Sequence, residues 1–342
     1  MNVKSIKVVS LFSGGGGLDL GFKAAGYDII WANEINKDAA LCYAENVGSH
    51  IVCKNIYEVA NSDIPYADVI IGGPPCQSFS LAGKRDSEDA RGQLVWRYLD
   101  ILKSHMPKAF LFENVTGILS AKRKDGSKIF PDLVQEFKSL GYTISYKTVN
   151  AADYGVPQLR KRVIIVGLKG DAQFIFPDAT HSPGSEEDLL QYVSAQDAIG
   201  DLPYSSDEPL FDHQEPQMSH LDKLIVSYVR PGGNYNDIPD SVPSKRIRRL
   251  KKEGGHTTCY GRLLPDRPSY TINTYFNRPN VGCNIHYRYD RLLTIREAMR
   301  LQSFPDSYKL VCKSKTSKHL IVGNAVPPLL AEKLATQLKK FI

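Results

Sequence analysis

Through its first half the chain alternates short apolar runs with amphipathic stretches of about ten residues, and no other feature limits its fold so tightly. Ile6–Phe12, Tyr27–Ala32, Ile51–Lys54, Asp68–Ile71, Ala109–Phe112 and Val163–Gly167 read as buried strands. Leu18–Ala25, Lys37–Asn46, Leu94–Lys103 and Leu133–Leu140 carry helical apolar spacing, with Gly26 and Gly141 as stops. Strands alternating with helices predict an α/β fold, a mainly parallel sheet with helices on both faces. Ligands of such sheets sit in the crevice at the carboxyl ends of the strands. Ser13-Gly14, Glu34, Pro75-Cys76 and Glu113 all fall at those ends. A purely structural pattern has no reason to put special residues there.

After about Lys169 the texture changes. Residues 170–285 are rich in Pro, Gly, Asp and Ser and include a basic cluster from Lys245 to Lys252. This reads as a separate small domain with much loop. Regular patterning returns at Leu292–Leu301 and in a final helix from Leu329 to about Phe341. A chain of 342 residues has room for one large domain plus a smaller one. Its net charge of +6 permits a polyanionic partner without requiring one. The 6 cysteines are scattered, with no C-x-x-C pair and no His cluster at metal spacing. That argues against a disulfide framework or a metal site and for a reduced, cytosolic protein. The apolar run Val8–Phe12 is too short for a signal peptide, and no stretch approaches the roughly 20 apolar residues that cross a bilayer. No membrane partner is expected.

Two segments point to chemistry. The first, Leu11 to Gly21, runs from strand to helix through Gly14, Gly15, Gly16 and Gly17. Such a turn lets a ligand approach the backbone closely. Glu34 follows at the end of the next strand, where a carboxylate can accept from ribose hydroxyls. The turn is a poor G-x-G-x-x-G and no Lys follows for phosphates, so an adenosine ligand without pyrophosphate fits better than NAD or ATP. A tight turn and a surface Glu are the plainer alternative. The second segment is Gly72-Gly73-Pro74-Pro75-Cys76-Gln77-Ser78-Phe79-Ser80. Two prolines lock the backbone just before a cysteine at a strand's end. A lone Cys is usually a small buried hydrophobe, but this rigid setting makes it a candidate nucleophile.

Pro-Pro-Cys-Gln after a strand resembles the nucleophile motif of the cytosine-C5 DNA methyltransferases, and further motifs of that family follow in order. Phe12-x-Gly14-x-Gly16-Gly17 is similar to its S-adenosylmethionine (SAM) motif, and Asp89-x-Arg91-Gly92-x-Leu94 to the segment closing its catalytic loop. Glu113-Asn114-Val115 and Gln158-x-Arg160-x-Arg162 match two more. Arg291 to Pro305 and Gly323-Asn324-Ala325-Val326-Pro327-Pro328 match the last two. Only about 170–265, the stretch this family itself varies, lies outside the resemblance. It implies a Rossmann-like SAM-dependent methyltransferase domain over 1–171, a smaller irregular target recognition domain over 172–285, and a segment 286–342 returning to the first. It also implies a SAM site from Phe12, Ser13, Gly14, Gly16, Gly17, Leu18, Glu34, Ile35, Asn55, Ile56, Pro75, Leu94, Asn324 and Val326. Gln77, Ser80, Arg91 and Thr271 would meet DNA. Asn55 stands where many members carry Asp to accept from the adenine amino group; an amide oxygen can still accept that bond. Ser10 also departs from an acidic position, with no evident consequence.

The chemistry accounts for the residue types. Cytosine C5 is too weak a nucleophile to attack a methyl sulfonium directly; a thiolate from Cys76 adding at C6 makes the ring an enamine. Charge then builds on N3 and O2. Glu113, protonated, can donate to N3 and accept from the N4 amino group, and Arg162 is a candidate for O2 and for positioning Cys76. Arg160 is assigned to the DNA backbone or to Glu113. Plain surface charge is the alternative for both arginines. The base must leave the duplex stack to react, and Ser78–Arg91, containing Gly83, could close over it; a solvated connector is the alternative.

Lys245, Arg246 and Arg248 are candidate phosphate contacts in the variable region, against a merely solvated charged face. The DNA sequence recognised is not readable, because base readout there has no transferable code. The expected partner is double-stranded DNA, bound by a cytoplasmic monomer of prokaryotic type. A restriction endonuclease is functionally linked but not a physical partner. Methylation of a tRNA cytosine and a catalytically silent DNA-binding regulator remain as rival readings. A thiol hydrolase lacks a paired His, and an NAD-dependent oxidoreductase lacks its motif.

Overall fold

The computed structural model describes residues 5–75, 93–122, 126–184 and 188–342. They divide into two compact units. One draws on Met1–Asn150, Lys161–Asp178 and Leu330–Ile342, the other on Ala151–Arg160 and Ala179–Leu329.

In the first unit the chain runs β1 (Lys7–Leu11), α1 (Gly17–Ala24), β2 (Asp28–Glu34), α2 (Lys37–Asn46), β3 (Ile51–Cys53) and β4 (Val69–Gly72). It continues through α3 (Gln93–His105), β5 (Ala109–Val115), α4 (Ile129–Ser139), β6 (Tyr142–Asn150) and β7 (Lys161–Lys169). These strands form a 7-stranded sheet in the order β3-β2-β1-β4-β5-β7-β6. The first five in that order are parallel, while β7 lies antiparallel between β5 and β6. Val8, Val9, Leu11, Val69, Ile70 and Ile71 are almost fully buried, as strands covered on both faces require. From β1 the chain builds outward to β2 and β3 on one side and to β4 and β5 on the other. That reversal opens the crevice at the carboxyl ends of β1 and β4, which lie level because Leu11 stands opposite Gly72. Tyr98 of α3 sits beneath this edge, its hydroxyl donating to the carbonyls of Ile70 and Leu111 at 3.2 and 3.1 Å.

The mainly parallel sheet agrees with the sequence reading, with one addition: β6 was not anticipated. Tyr146 is 53% exposed and Lys147 also faces solvent, so the strand lacks the apolar run that marks its neighbours. A strand at a sheet edge tolerates such residues because one side needs no cover.

The second unit contains α5 (Ala195–Ile199), α6 (His220–Tyr228), α7 (Lys245–Glu253), α8 (Ile295–Leu301) and α9 (Lys315–Asn324). Then α10 (Pro328–Leu338) begins, and from Leu330 onward it belongs to the first unit. There the Ala335 carbonyl accepts from the Tyr27 hydroxyl at 3.0 Å. Long stretches between the helices of the second unit are irregular, and buried arginines satisfy their backbone. Arg262 donates to the carbonyls of Val226, Val229, His286 and Tyr289. Arg296 donates to those of Phe211 and Tyr308 at 2.8 and 3.0 Å. Arg291 grips Glu297 through two bonds of 2.9 and 2.8 Å. Each buried carbonyl deprived of such a donor would cost about 1–3 kcal/mol.

Candidate active site

The glycine turn after β1 is held open by its own backbone geometry. Phe12 has φ +56°, an uncommon conformation for a residue with a side chain, and Gly14 and Gly16 follow at +56° and +85°. Gly16 is buried against α2, where an added Cβ would come within 2.5 Å of Val47. Gly14 faces the other way, into open space. Glu34 ties the turn to β2: its carboxylate accepts from the Gly14 N–H at 2.9 Å and from the Asn36 N–H at 2.8 Å. Burial raises the Glu34 carboxyl above its usual range, against the pull of those N–H donors. Ser13 hangs its hydroxyl on Ser10 Oγ at 3.1 Å, and Gly17 and Leu18 open α1, both buried.

The other pole is the end of β4. An added Cβ at Gly73 would stand 2.7 Å from Glu113 Oε2, so only glycine lets that carboxylate lie against the chain here. On the far side Glu113 Oε1 accepts from Arg162 Nε at 2.9 Å, each side chain about 12% exposed. Sheet register explains the pairing: Glu113 is opposite Ile164, and Arg162, two residues along, shares its face. Burial lowers the Arg162 guanidinium from its usual value while Glu113 opposes the pull, and an arginine so placed stays a cation at neutral pH. Asn114, 3% exposed, donates from Nδ2 to the Pro74 carbonyl at 3.0 Å. It fixes the backbone two residues before Cys76. The sequence reading gave Asn114 no role, although it stands inside the Glu-Asn-Val motif.

Cys76, Gln77, Ser80 and Arg91 lie outside the described residues. Pro75 is exposed, Ile35 is 63% exposed and Ile56 is 2% exposed. Asn55 caps the short 3-10 turn Ile56–Glu58, its side-chain oxygen accepting from the Tyr57 N–H at 3.2 Å. An amide oxygen has a second lone pair for a ligand. Leu94, in the first turn of α3, packs against the core.

In the second unit Arg160 is fully buried and donates to the carbonyls of Ile272, Gly323 and Ala325 at 3.0, 3.0 and 2.8 Å. Its guanidinium thus braces the segments that carry Thr271 and Asn324. Asn324 ends α9, exposed, and Val326 is 8% exposed. Lys245, Arg246 and Arg248 project from α7, whose Ile247 is buried. Lys251, from the same cluster, is committed to Asp240 at 2.8 Å. Thr271 is exposed, and its hydroxyl donates to the Leu159 carbonyl at 2.7 Å.

The open face of Gly14 with the Glu34 carboxylate beside it suits the ribose of a nucleoside. A carboxylate paired with a buried cation at the next strand ends suits a polar heterocycle that gains charge. No group of three or more potential metal ligands occurs among the described residues, and no described helix is long and apolar enough to cross a membrane.

The chain is similar to known proteins. The chain is 37% identical to the Type II methyltransferase M.NgoFVII of Neisseria gonorrhoeae over 94% of its own length and 83% of that protein's. It is 37% identical to the Type II methyltransferase M.FnuDI of Fusobacterium nucleatum, over 98% and 94%. Among solved structures, the S. pombe Dnmt2 methyltransferase superposes with a TM-score of 0.63 at 19% identity, covering 98% of each chain, a likeness of fold. The family model for C-5 cytosine-specific DNA methylase matches residues 6–340. With strand-end chemistry, fold and family model in agreement over nearly its whole length, the chain belongs to the C-5 cytosine-specific DNA methylase family.

Proposed function

We propose that the chain methylates C5 of a cytosine in duplex DNA through a covalent bond from Cys76 to C6 of a base turned out of the helix. The observation that carries this is the Glu113 carboxylate, held at 2.9 Å by Arg162 and lying against the bare Cα of Gly73, three residues before Cys76. The Cys76 thiolate forms the Sγ–C6 bond while the Glu113 carboxyl hydrogen-bonds the N3 and N4 edge of the base. Arg162 offsets charge at O2 and keeps Glu113 in place. SAM, when bound, supplies the methyl group that C5 accepts, with Glu34 and the Gly14 turn holding its ribose and Asn55 its adenine edge. The methyl leaves S-adenosylhomocysteine behind, solvent takes the C5 proton, and cleavage of Sγ–C6 restores the ring and frees the thiolate. Arg160 acts as a positioning residue.

Residues 172–285 serve as the target recognition domain, with Lys245, Arg246 and Arg248 of α7 on phosphates. The Type II names of its relatives support a place in a restriction–modification system, in which a cytoplasmic monomer marks host DNA against a cognate endonuclease.

A duplex carrying 5-fluorocytosine tests the reaction, since fluorine at C5 blocks the final elimination. With SAM it should trap an adduct that survives denaturation and is absent from Cys76→Ser. Bisulfite sequencing of plasmid after expression should show protected cytosines in one sequence context, with tRNA assayed alongside as the competing substrate. Unmodified plasmid from a folded, SAM-binding protein would overturn the proposal.

A further inference from the structure

Arg97 lies in none of the motifs that carry the family resemblance, yet its guanidinium is bound to the backbone of the turn assigned to adenine. It sits on α3 with a side chain only 10% exposed. Its Nε donates to the Ile56 carbonyl at 3.3 Å and its Nη2 to the Val59 carbonyl at 2.7 Å. The remaining terminal nitrogen pairs with Asp100, whose other carboxylate contact is Asn61 Nδ2 at 3.4 Å. The guanidinium therefore joins the carbonyl of Ile56, which opens the 3-10 turn Ile56–Glu58, to that of Val59, which follows it. A planar fork of donors suits that task; a lysine has one nitrogen to offer.

Ile56 and Val59 anchor the turn in the core, while its outer face is open. Tyr57, Asn61 and Trp96 line an open cavity of about 690 Å³ on this side of it, and Tyr57 is 47% exposed. Inside the turn run the Glu58 N–H to Asn55 carbonyl bond of 2.9 Å, a longer one of 3.4 Å from the Val59 N–H to the Ile56 carbonyl, and the Asn55 cap. Leu94 precedes Arg97 on α3 by three residues, on the same helix face. One side chain thus joins the helix bearing Leu94 to the turn bearing Asn55 and Ile56.

We infer that Arg97 is a positioning residue for the cofactor site: it fixes the Asn55–Ile56 turn relative to α3 and so sets SAM affinity without touching SAM. This rests on the proposed assignment of Asn55, Ile56 and Leu94 to that site. Because Arg97 acts through the turn, its loss should appear in binding and not in the chemical step.

The experiment measures SAM affinity by calorimetry, thermal midpoint, and kcat at saturating SAM in wild type, Arg97→Ala, Arg97→Lys, Asn55→Ala and the Arg97→Ala/Asn55→Ala pair. Arg97→Ala should weaken SAM binding about tenfold and leave kcat within about twofold, and Arg97→Lys should recover part of the loss. The double variant should bind little worse than the weaker single one, while the drop in midpoint from Arg97→Ala stays the same in both backgrounds. Unchanged SAM affinity in Arg97→Ala despite a lower midpoint would make Arg97 merely structural, and losses that multiply in full would uncouple it from Asn55; either overturns the inference. If Arg97→Ala does not fold, Arg97→Lys is judged by the same measures. If Asn55→Ala alone binds normally while Arg97→Ala does not, the adenine contact of Asn55 falls and Arg97 acts through Ile56. A wild-type protein that binds no SAM would sink the cofactor assignment itself.

Discussion

The two units solve one problem in different ways, since each must pair the backbone groups it buries. In the first, strand ladders do most of this, with Arg97 serving one 3-10 turn, and polar side chains are left over for the strand ends, Glu34, Glu113 and Arg162 among them. In the second, irregular backbone is paired by guanidinium groups, so Arg160, Arg262, Arg291 and Arg296 are spent on structure and are at most 4% exposed. An arginine in the first unit can therefore be catalytic machinery, while a buried arginine in the second is scaffold. The same residue type carries opposite meanings, and what separates them is whether hydrogen bonds close on carbonyls or on a carboxylate at a strand end.

The largest effect expected from this contrast is on stability. Arg262→Ala strands four carbonyls together with Asp290, and should cost about 3–5 kcal/mol in chemical denaturation. Lys should rescue little, because it lacks the fork. A loss below about 1 kcal/mol would break the comparison. The mirror experiment is Glu113→Gln, which keeps an acceptor for Arg162 but removes the carboxyl chemistry. Methyl transfer should fall by about 10²–10³-fold, with stability changed by no more than about 1 kcal/mol; a collapse of the fold would class Glu113 with the scaffold. Gly73→Ala is smaller again. The new methyl clashes with the carboxylate end of Glu113 and otherwise makes ordinary contacts, so the fold should tolerate it while the displaced carboxylate slows transfer by about 10²-fold. Wild-type kinetics for this variant would mean the carboxylate's position against Gly73 is immaterial.

The same contrast explains what could be read in advance. Buried strands announce themselves as apolar runs, and the strand ends then point to the site, which is how Glu34 and Glu113 stood out. Asn114 and Tyr98 did not, because what matters about them is a bond to a carbonyl distant in the chain, and no local pattern encodes that. Gly73 read as one half of a Gly-Gly step; that it makes room for Glu113 depends on two strands becoming neighbours. The second unit was legible only as irregular. Its buried arginines look like solvated charge in a sequence, and Arg160 was assigned to DNA or to Glu113 when its nitrogens serve three carbonyls. The cluster Lys245–Lys252 also hid a division visible only on the folded helix, with Lys251 paired and Arg248 exposed.

The smallest effect is the one that sharpens the comparison most, because it should carry opposite signs in the two units. Asp19 of α1 is fully buried, accepts from the Tyr43 hydroxyl at 2.8 Å, and is pushed by burial up to about 6, with Ser10 and Tyr43 opposing. An acid raised in the folded state binds more protons folded than unfolded. Its contribution is fully present below the unfolded value near 4 and is lost as pH rises through about 6. His286 in the second unit accepts the N–H groups of Arg288 and Tyr289 at 3.0 and 3.2 Å. Burial drives it down to about 4, Glu297 opposing and Arg291 and Arg262 assisting. A histidine depressed on folding contributes stability above its unfolded value of 6.5 that is lost as pH falls through about 4. Taking the protein from pH 7 to pH 5 should therefore add about 1 kcal/mol through Asp19 and remove about 2 kcal/mol through His286. Denaturation at the two pH values should show Asp19→Asn losing more stability on acidification than wild type does. His286→Asn, which keeps an acceptor but cannot titrate, should lose less. If both variants track wild type, neither buried group titrates as its surroundings require, and the two units do not differ in this respect. If only His286→Asn departs from it, the proton-sensitive group lies in the arginine-braced unit, and acid weakens the scaffold before the strand ends.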